Sequence, residues 1–361
     1  MEPQILNVGI IGLGEVAQVI HLPVLESLPQ QFRIAALCDI SPKLVEHMGE
    51  RYRVEHLYNE YTDLVKQDEL DVVFVLNSDE YHAEYAIAAA DRGKHVFIEK
   101  PMCLTQAEAD AIVSAQTRND VKIMVGYMRR YAASFVRAAS AIGGLDRIQY
   151  ARVRDIIGPN RYFIQPTSRV VSYDDIPEAL KEEKQRRAKA LVSEATGLAP
   201  DSPHNSIYRL LCGLSSHDLS AMREALGMPN GVAGARATDN GSVFLSAIFD
   251  YGPFSVTFET GTDQQGRFDA HVEVYASDKS VKVQFDTPYI RHLPTRLFLS
   301  ETAGEQYTES VIRPTFTDPY TSELQYLHDV IVNDLTPKTT PEDFKQDLSI
   351  FKMIIDALQA N

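Results

Sequence analysis

Over the first 126 residues, short runs of β-branched and other apolar residues alternate with segments of helical pattern. Each run is apolar enough to be buried on both sides, which is typical of strands in a parallel sheet. Strands joined by helices in this order form a sheet with helices on both faces. The expected strands are residues 8–11, 34–38, 72–76, 96–98 and 123–125, with a weaker one at 56–58. We therefore predict an α/β domain with a parallel sheet over residues 1–126.

Local signals mark where helices begin and end in this region. Ser41 followed by Pro42 is typical of a helix start, because serine caps the first turn and proline fits it. Thr105 with Glu108 has the spacing of a capping box. Gly93 is placed to end the preceding helix. These signals agree with the periodicity.

Beyond residue 126 the apolar pattern changes to runs without intervening helices, which indicates a mostly antiparallel sheet. The expected strands are residues 148–154, 243–249, 254–259, 272–275 and 281–285, and two late helices are expected near 322–333 and 341–358. We predict an α+β domain with an open sheet over residues 127–361.

A stretch of about fifty residues, 158–209, interrupts the second domain and is too long for an ordinary connection. Such a length indicates a functional or a disordered segment. Its charged middle, residues 181–187, has Glu182 and Glu183 four residues before Arg186 and Arg187, which favours a solvated helix. We treat it as an insertion.

Charge and cysteine usage exclude several classes of protein. The 361 residues carry a formal net charge of −15, which opposes binding to nucleic acid or to an anionic membrane surface. The three cysteines have no close pair, so neither a disulfide framework nor a cysteine-type zinc site is expected. Residues 1–7 lack the basic start and apolar stretch of a signal peptide, and no 18-residue apolar run occurs. We expect a cytoplasmic protein without a bound metal.

The sequence from Gly12 to Ala17 follows the first strand directly and matches the dinucleotide fingerprint Gly-x-Gly-x-x-Ala. Gly12 permits the tight turn, Gly14 lets the backbone approach the pyrophosphate, and Ala17 keeps the helix close to the strand. The backbone of Glu15 and Val16 opens the helix that faces the phosphates. This context predicts a Rossmann domain that binds a dinucleotide.

An acidic residue, Asp39, stands at the end of the second strand. A carboxylate there accepts hydrogen bonds from the adenosine ribose and repels a 2′-phosphate. No arginine follows at residues 40–43 to bind such a phosphate, although Lys43 lies nearby. The sequence favours NAD over NADP.

Two further motifs, together with the fingerprint, carry a family resemblance. They are Asn77-Ser78-Asp79 with His82 after the fourth strand, and Glu99-Lys100-Pro101 at the end of the fifth. With them the N-terminal half closely resembles the Gfo/Idh/MocA oxidoreductase family (glucose-fructose oxidoreductase, inositol dehydrogenase, rhizopine catabolism), and the second domain resembles it more loosely.

The resemblance implies that Lys100 contacts substrate and nicotinamide and moves a proton, and that Pro101 follows a cis bond. It also implies cofactor contacts at Asn77, Ser78, His82 and Glu99. For His82, a ring held by backbone groups at a helix start is an equal alternative.

The family's second signature is an aspartate four residues before a histidine. His217 matches the histidine, but Gly213 stands where the aspartate is expected. Histidine suits acid/base catalysis because its ordinary pKa of ~6.5 lies near neutral pH. Other residues must then anchor the substrate, and we consider Arg154, Asp155 and Tyr162, together with Asn160 and Arg161.

Tyr127 follows the last strand of the first domain, where the resemblance places the crossing to the substrate domain. Its hydroxyl is a candidate hydrogen-bond partner for a sugar hydroxyl. Arg129 and Arg130 next to it either contact substrate or pair with acids at the domain junction.

Together these observations predict an NAD(P)-dependent oxidoreductase that acts on the CH–OH group of a sugar, sugar acid or cyclitol. Two alternatives remain: a reaction without net redox change that retains NAD, as in glycosidases among the relatives, and a cofactor-binding regulator related to a galactose-regulon repressor. The family often forms homo-oligomers through the open sheet. In this chain the exposed sheet face is polar at Ser255, Thr257, Glu259, Lys282 and Gln284, which suits solvent as well as a partner.

Overall fold

The computed structural model describes residues 4–239 and 241–360. The chain folds into two compact units, neither of which is continuous in sequence. The first comprises residues up to Gly126 with Ser168–Pro200 and Glu323–Lys345, and the second comprises Tyr127–Thr167, Asp201–Ser322 and the residues from Gln346 onward.

The first unit contains a six-stranded parallel sheet in the order β3-β2-β1-β4-β5-β6. Its strands are β1 Leu6–Ile11, β2 Phe32–Cys38, β3 His56–Tyr58, β4 Val72–Val75, β5 His95–Glu99 and β6 Ile123–Gly126. All six predicted strands are confirmed. The strand order reverses beside β1, which is where an open α/β sheet forms a crevice at the carboxyl ends of its strands.

The helices of this sheet begin and end largely where the local signals place them. They are α1 Leu22–Ser27, α2 Pro42–Tyr52, α3 Tyr61–Leu64, α4 His82–Ala90 and α5 Gln106–Asn119. The Ser41 hydroxyl accepts from the Leu44 N–H, and Thr105 and Glu108 form the reciprocal capping box. A π-helical turn, Ala17–His21, precedes α1.

The second unit contains an eight-stranded sheet in the order β14-β13-β12-β11-β7-β10-β9-β8. Its strands are β7 Tyr150–Ile157, β8 Gly231–Asp239, β9 Val243–Asp250, β10 Ser255–Thr262, β11 Phe268–Tyr275, β12 Lys279–Phe285, β13 Arg296–Ala303 and β14 Gln306–Ile312. All neighbouring pairs are antiparallel except β7 with β10. The predicted mostly antiparallel sheet is confirmed, but β8, β13 and β14 were not predicted.

Seven further helices complete the described structure. They are α6 Ala133–Gly143, α7 Arg161–Ile164, α8 Glu178–Thr196, α9 His204–Leu210, α10 Ser216–Leu226, α11 Pro319–Val332 and α12 Pro341–Gln359. Helices α6 and α10 pack on the sheet of the second unit, and the last two agree with the predicted late helices. Among the described residues, no helix is long and apolar enough to cross a membrane.

The division of the chain differs from a single boundary after residue 126, because two later segments pack with the first unit. The Val125 N–H donates to the Thr339 carbonyl at 2.8 Å, and the Thr339 hydroxyl donates to the Val125 carbonyl at 2.8 Å, so that Thr339 satisfies the outer edge of β6. Residues 168–200, within the predicted insertion, pack on α2 and α4 through contacts given below. Local sequence patterns do not show against which element such a segment packs.

Candidate dinucleotide-binding site

The turn after β1 requires a glycine at its first position. Gly12 has a φ of +94°, and a Cβ there would lie 2.5 Å from the Asn77 nitrogen. The Gly12 N–H donates to the Cys38 carbonyl at 2.9 Å. The chain therefore turns tightly after β1 because Gly12 lies directly against the ends of the neighbouring strands β2 and β4.

Gly14 has a different reason to be a glycine. It is exposed, and a Cβ there would meet no atom of the described chain within 4 Å. Packing within the protein thus leaves the position free, whereas a pyrophosphate above the turn would need the space. A helical run begins at Glu15 and Val16, and Ala17 is buried in it as predicted.

Asp39 at the end of β2 faces this turn. Its carboxylate accepts from the Leu13 N–H at 2.8 Å and from the Ser41 N–H at 2.9 Å. Burial raises the pKa of Asp39, and the two backbone donors oppose that rise. Each carboxylate oxygen still has a lone pair for a ribose hydroxyl.

A cavity of about 580 Å³ lies at this edge of the sheet. Its lining includes Gly12, Gly14, Asp39, Asn77 and Ser78, which the sequence predicts to contact a dinucleotide. It also includes residues that the sequence analysis missed: Ile40, Asn59, Glu60, Tyr61, Tyr81, Tyr85, Ile176, Leu180, Lys181 and Lys184. The last four belong to residues 168–200. The apolar pair Ile176 and Leu180 is the one feature of the sequence that could have indicated that this segment packs at this edge of the sheet.

Asn77 lies in the loop after β4, His82 begins α4 after that loop, and Pro101 lies in the loop after β5. The His82 ring nitrogens lie 2.8 Å from the Pro101 carbonyl and 2.9 Å from the Asn77 carbonyl. His82 therefore joins the two loops, as in the alternative weighed for it, and both ring nitrogens are used by the protein. Within the described chain, the buried Asn77 Oδ1 has no hydrogen-bond partner, which leaves it available to a ligand.

Glu99 positions the residue that follows it. Its Oε1 lies 2.8 Å from the Nε2 of the buried His21, and its Oε2 accepts from the Lys100 N–H at 3.0 Å. Burial alone would raise the pKa of Glu99, but the His21 hydrogen bond and the charges of His21 and Lys100 outweigh it and lower that pKa. The Lys100–Pro101 bond is cis, as the resemblance implies.

The predicted acid/base residue of the second unit, His217, lies in the first turn of α10 and is 8% exposed. A π-helical turn, Leu211–Ser215, leads directly into this helix. Gly213 lies in that turn, and a Cβ on it would meet no described atom within 4 Å. The fold thus leaves room for the aspartate that this chain lacks.

Next to His217, three charged side chains form a buried cluster. Arg129 donates to Asp218 and, at 3.1 Å, to Asp155. Burial raises the pKa of Asp218 well above its ordinary value, and Arg129 opposes that rise while Asp155 adds to it. The burial of Asp218 and its neighbour Asp155 thus favour the protonated form of this acid, and the charge of Arg129 opposes it.

The structure gives Asp155 and Tyr127 roles other than the substrate contacts considered for them. Asp155 is fully buried and held by Arg129. Tyr127 is also fully buried, and its hydroxyl donates to Asp347 at 2.6 Å. The polar groups of both side chains are thus hydrogen-bonded to other residues of the second unit. Arg129 pairs with acidic residues, which is one of the two alternatives given for it in the sequence analysis.

Arg154 and Tyr162 are also placed differently from the expectation. Arg154 immediately precedes Asp155 on β7 and therefore points to the opposite face of the sheet, where it pairs with Glu259 at 2.8 Å and Asp269 at 3.1 Å. Helix α10 packs on the other face. Tyr162 is 46% exposed, with the Arg161 guanidinium 4.9 Å from its ring centre.

No group of three or more histidine, cysteine, aspartate or glutamate side chains suited to a metal occurs in the part of the chain that the structure describes. A dinucleotide, by contrast, fits the first unit. The open space above Gly14, the remaining acceptor capacity of Asp39 and the unpartnered Asn77 oxygen all lie at the cavity's edge.

Comparisons with known proteins agree with this geometry. Residues 6–127 match the family model described as an oxidoreductase family with an NAD-binding Rossmann fold, GFO_IDH_MocA. Inositol 2-dehydrogenase of Salmonella typhimurium is 32% identical over 139 residues, which span 38% of this chain and 41% of the relative. The sequence similarity is thus confined to less than half of either protein.

Solved structures resemble the whole chain in fold. A scyllo-inositol dehydrogenase from Lactobacillus casei with bound NAD(H) and scyllo-inositol has a TM-score of 0.70 at 18% identity, covering 99% of this chain and 98% of the other. A 3-ketoreductase from Actinomadura kijaniata in complex with TDP-benzene and NADP has a TM-score of 0.71 at 17% identity, covering 99% and 97%. Residues 6–127, which contain the fingerprint turn, Asp39 and the Glu99-Lys100-Pro101 motif, thus match the NAD-binding Rossmann domain of the Gfo/Idh/MocA oxidoreductase family.

Proposed function

We propose that the protein is an NAD-dependent dehydrogenase or reductase that acts on a CH–OH group of a sugar, sugar acid or cyclitol. The observation that carries the proposal is the cavity at the carboxyl edge of the first sheet, lined by Gly12, Gly14 and Asp39. Lys100 follows β5, which neighbours β4 in the same sheet. The inositol dehydrogenase among its relatives supports a polyhydroxylated substrate.

In this proposal, each candidate site residue of the first unit has a specific role. The turn at Gly12 and Gly14 and the helix start at Glu15 and Val16 hold the pyrophosphate. Asp39 holds the adenosine ribose, and Asn77 and Ser78 contact the cofactor at the end of β4. When bound, NAD accepts the hydride that leaves the substrate carbon.

Proton transfer accompanies the loss of hydride. The amine of Lys100 would take the proton of the substrate hydroxyl as the hydride leaves the carbon for the nicotinamide that NAD would supply, which would leave a carbonyl compound and an ammonium group on Lys100. Glu99 and His21 act as positioning residues, because they fix the backbone at Lys100. His217 is the second acid/base candidate.

A second candidate reaction uses a retained NAD without net oxidation. It is favoured by residues 168–200, whose Ile176, Leu180, Lys181 and Lys184 line the cofactor cavity. A cofactor covered in this way exchanges slowly with solvent.

A homo-oligomer formed through the polar sheet face and a cytoplasmic location stay predictions.

The test is a screen of sugars, sugar acids and cyclitols for NADH formation, with dialysed and undialysed protein compared side by side. A dehydrogenase reduces added NAD in step with substrate consumption. If product forms without turnover of added NAD, the retained-cofactor reaction is correct. If the protein binds no dinucleotide in calorimetry, both forms of the proposal are wrong.

A further inference from the structure

The segment Ser168–Pro200 brings a carboxylate to the loop that follows β2. Asp175 Oδ1 accepts from the Ser41 hydroxyl at 2.6 Å, and its Oδ2 accepts from the Lys43 N–H at 3.0 Å. None of the motifs at the cofactor site includes this residue, which lies 132 positions after Lys43 in the chain.

Contacts just before and after Asp175 fix its position on the first unit. The Gln18 side chain exchanges two hydrogen bonds of 2.8 Å with the backbone of Val171. The Tyr173 hydroxyl lies 3.2 Å from His47 Nδ1 on α2. Beyond Asp175, Ile176 reaches the lining of the cofactor cavity.

The groups that Asp175 binds form the start of α2. Ser41 caps this eleven-residue helix, and the Lys43 N–H is one of the donors that a helix leaves without an internal partner. Such donors, together with the helix dipole, attract anions such as phosphate. In this protein the anion at the start of α2 is the Asp175 carboxylate.

This helix start adjoins the ribose-binding residue. The Ser41 N–H donates to Asp39, which in a Rossmann domain accepts the 2′-hydroxyl of the adenosine ribose. A phosphate on that hydroxyl would need donors close to Asp39. Two such donors that follow Asp39 in the chain, the Ser41 hydroxyl and the Lys43 N–H, are already bound by Asp175.

The charges around the loop act in the same direction. The Ser41 hydrogen bond and, to a lesser degree, the charge of Lys43 lower the pKa of Asp175, so this group is ionised at neutral pH. Its charge adds to the burial that raises the pKa of Asp39. Lys43, the cation that could attract a 2′-phosphate, therefore already interacts electrostatically with a carboxylate of the protein.

We propose that Asp175 is a cofactor-specificity residue, which excludes NADP by occupying with its own carboxylate the donors that a 2′-phosphate would need. The inference rests on the proposed function, since it concerns the same dinucleotide site. It adds a second determinant to Asp39, and it assigns a purpose to part of the insertion.

The test measures the dissociation constants of NAD and NADP by calorimetry for the parent protein and for Asp175→Asn. We expect the parent to prefer NAD. We expect Asp175→Asn to lower the ratio of the NADP constant to the NAD constant by about tenfold or more, as Coulomb's law gives for removal of a like charge a few ångströms from a phosphate. The NAD constant itself should change little.

The matched control is Asp174→Asn, which removes the same charge one residue earlier from a side chain that is 99% exposed and pairs with Lys181. It should keep the parental ratio. Asp175→Ser is a second uncharged variant in case the asparagine variant folds poorly, and it should reproduce the loss of discrimination.

Three results would overturn the inference while dinucleotide binding stands. They are a parental ratio in both Asp175 variants, an equal shift in Asp174→Asn, and a parent that binds NADP as tightly as NAD. A parent that binds neither dinucleotide would instead overturn the proposed function, and the inference with it.

Discussion

At the scale of single residues, two glycines in one turn are required for opposite reasons. Gly12 is required by the protein, because its φ is +94° and a Cβ would collide with the backbone at Asn77. Gly14 is surrounded by open space in the described structure. The fold therefore depends on the first glycine, and we propose that dinucleotide binding depends on the second.

This difference predicts separate outcomes for two substitutions. Gly12→Ala should destabilise the protein by about 2 kcal/mol or more, since alanine combines a strained φ with a backbone collision. Gly14→Val should leave the melting temperature nearly unchanged but abolish dinucleotide binding. Thermal unfolding and calorimetry on both variants check this, and NAD binding by a folded Gly14→Val protein would contradict the assignment of the turn.

Lys100 is the residue on which the proposed chemistry depends most. Lys100→Met keeps the length of the side chain and removes only the amino group. We expect turnover on the identified substrate to fall by ~10²–10⁴-fold, as is typical when a general base is lost, with NAD affinity nearly unchanged. His217→Gln should cause a smaller loss if Lys100 is the main base. Parental turnover in Lys100→Met would exclude the mechanism.

At the scale of elements, a buried charge cluster joins three parts of the second unit. Arg129 comes from the turn that follows Tyr127, Asp155 from β7, and Asp218 from α10 beside His217. The Arg129 guanidinium also lies over the rings of Phe268 and Phe285. Helix α10, and with it His217, is thereby fixed to the sheet.

The cluster predicts a pH dependence of stability with a definite sign. The pKa of Asp218 is raised in the folded protein, so its stabilising contribution is complete below the ordinary value of ~3.9 and is lost as pH rises through the folded value. Asparagine resembles the protonated acid. Asp218→Asn should therefore remove this loss and become more stable, relative to the parent, as pH rises from 4 to 8.

Urea unfolding at several pH values measures this effect. Arg129→Met provides the contrast, because it leaves two buried acids without their cation and should cost about 3–5 kcal/mol at neutral pH. If Asp218→Asn destabilises the protein as much as Arg129→Met does, Asp218 is ionised in the folded protein and the assignment of the proton is wrong.

At the scale of the whole molecule, the chain leaves the second unit after Thr167, packs on the first as residues 168–200, and returns at Asp201. Helix α8 is held there by Arg187, which pairs with Glu84 at 2.6 Å and lies 4.5 Å from the ring centre of Tyr81. Arg187 thus pairs with a residue of α4. The sequence instead predicts a pair with Glu183 within its own helix.

This anchor predicts how fast the cofactor leaves. Arg187→Gln removes the contacts with Glu84 and Tyr81, and we expect it to speed the release of NADH several-fold in a stopped-flow chase. Arg186→Gln is the control, because in the described structure Arg186 pairs with Glu183 of its own helix. Equal release rates in the two variants would show that α8 does not cover the cofactor.

The sequence alone was sufficient for the first sheet, five strands of the second, the dinucleotide turn, the position of Asp39 beside it and the Glu99-Lys100-Pro101 motif, because each depends on residues close together in the chain. Periodicity and capping are local properties, and they identified all six strands of the first sheet. Only the tertiary structure decided where Asp175, Arg187 and Thr339 pack, which substrate candidates are buried, and that Arg154 and Asp155 point to opposite faces of one sheet. The contacts of Asp175, Arg187 and Thr339 join residues more than a hundred positions apart, and no local pattern specifies which partner such a side chain finds.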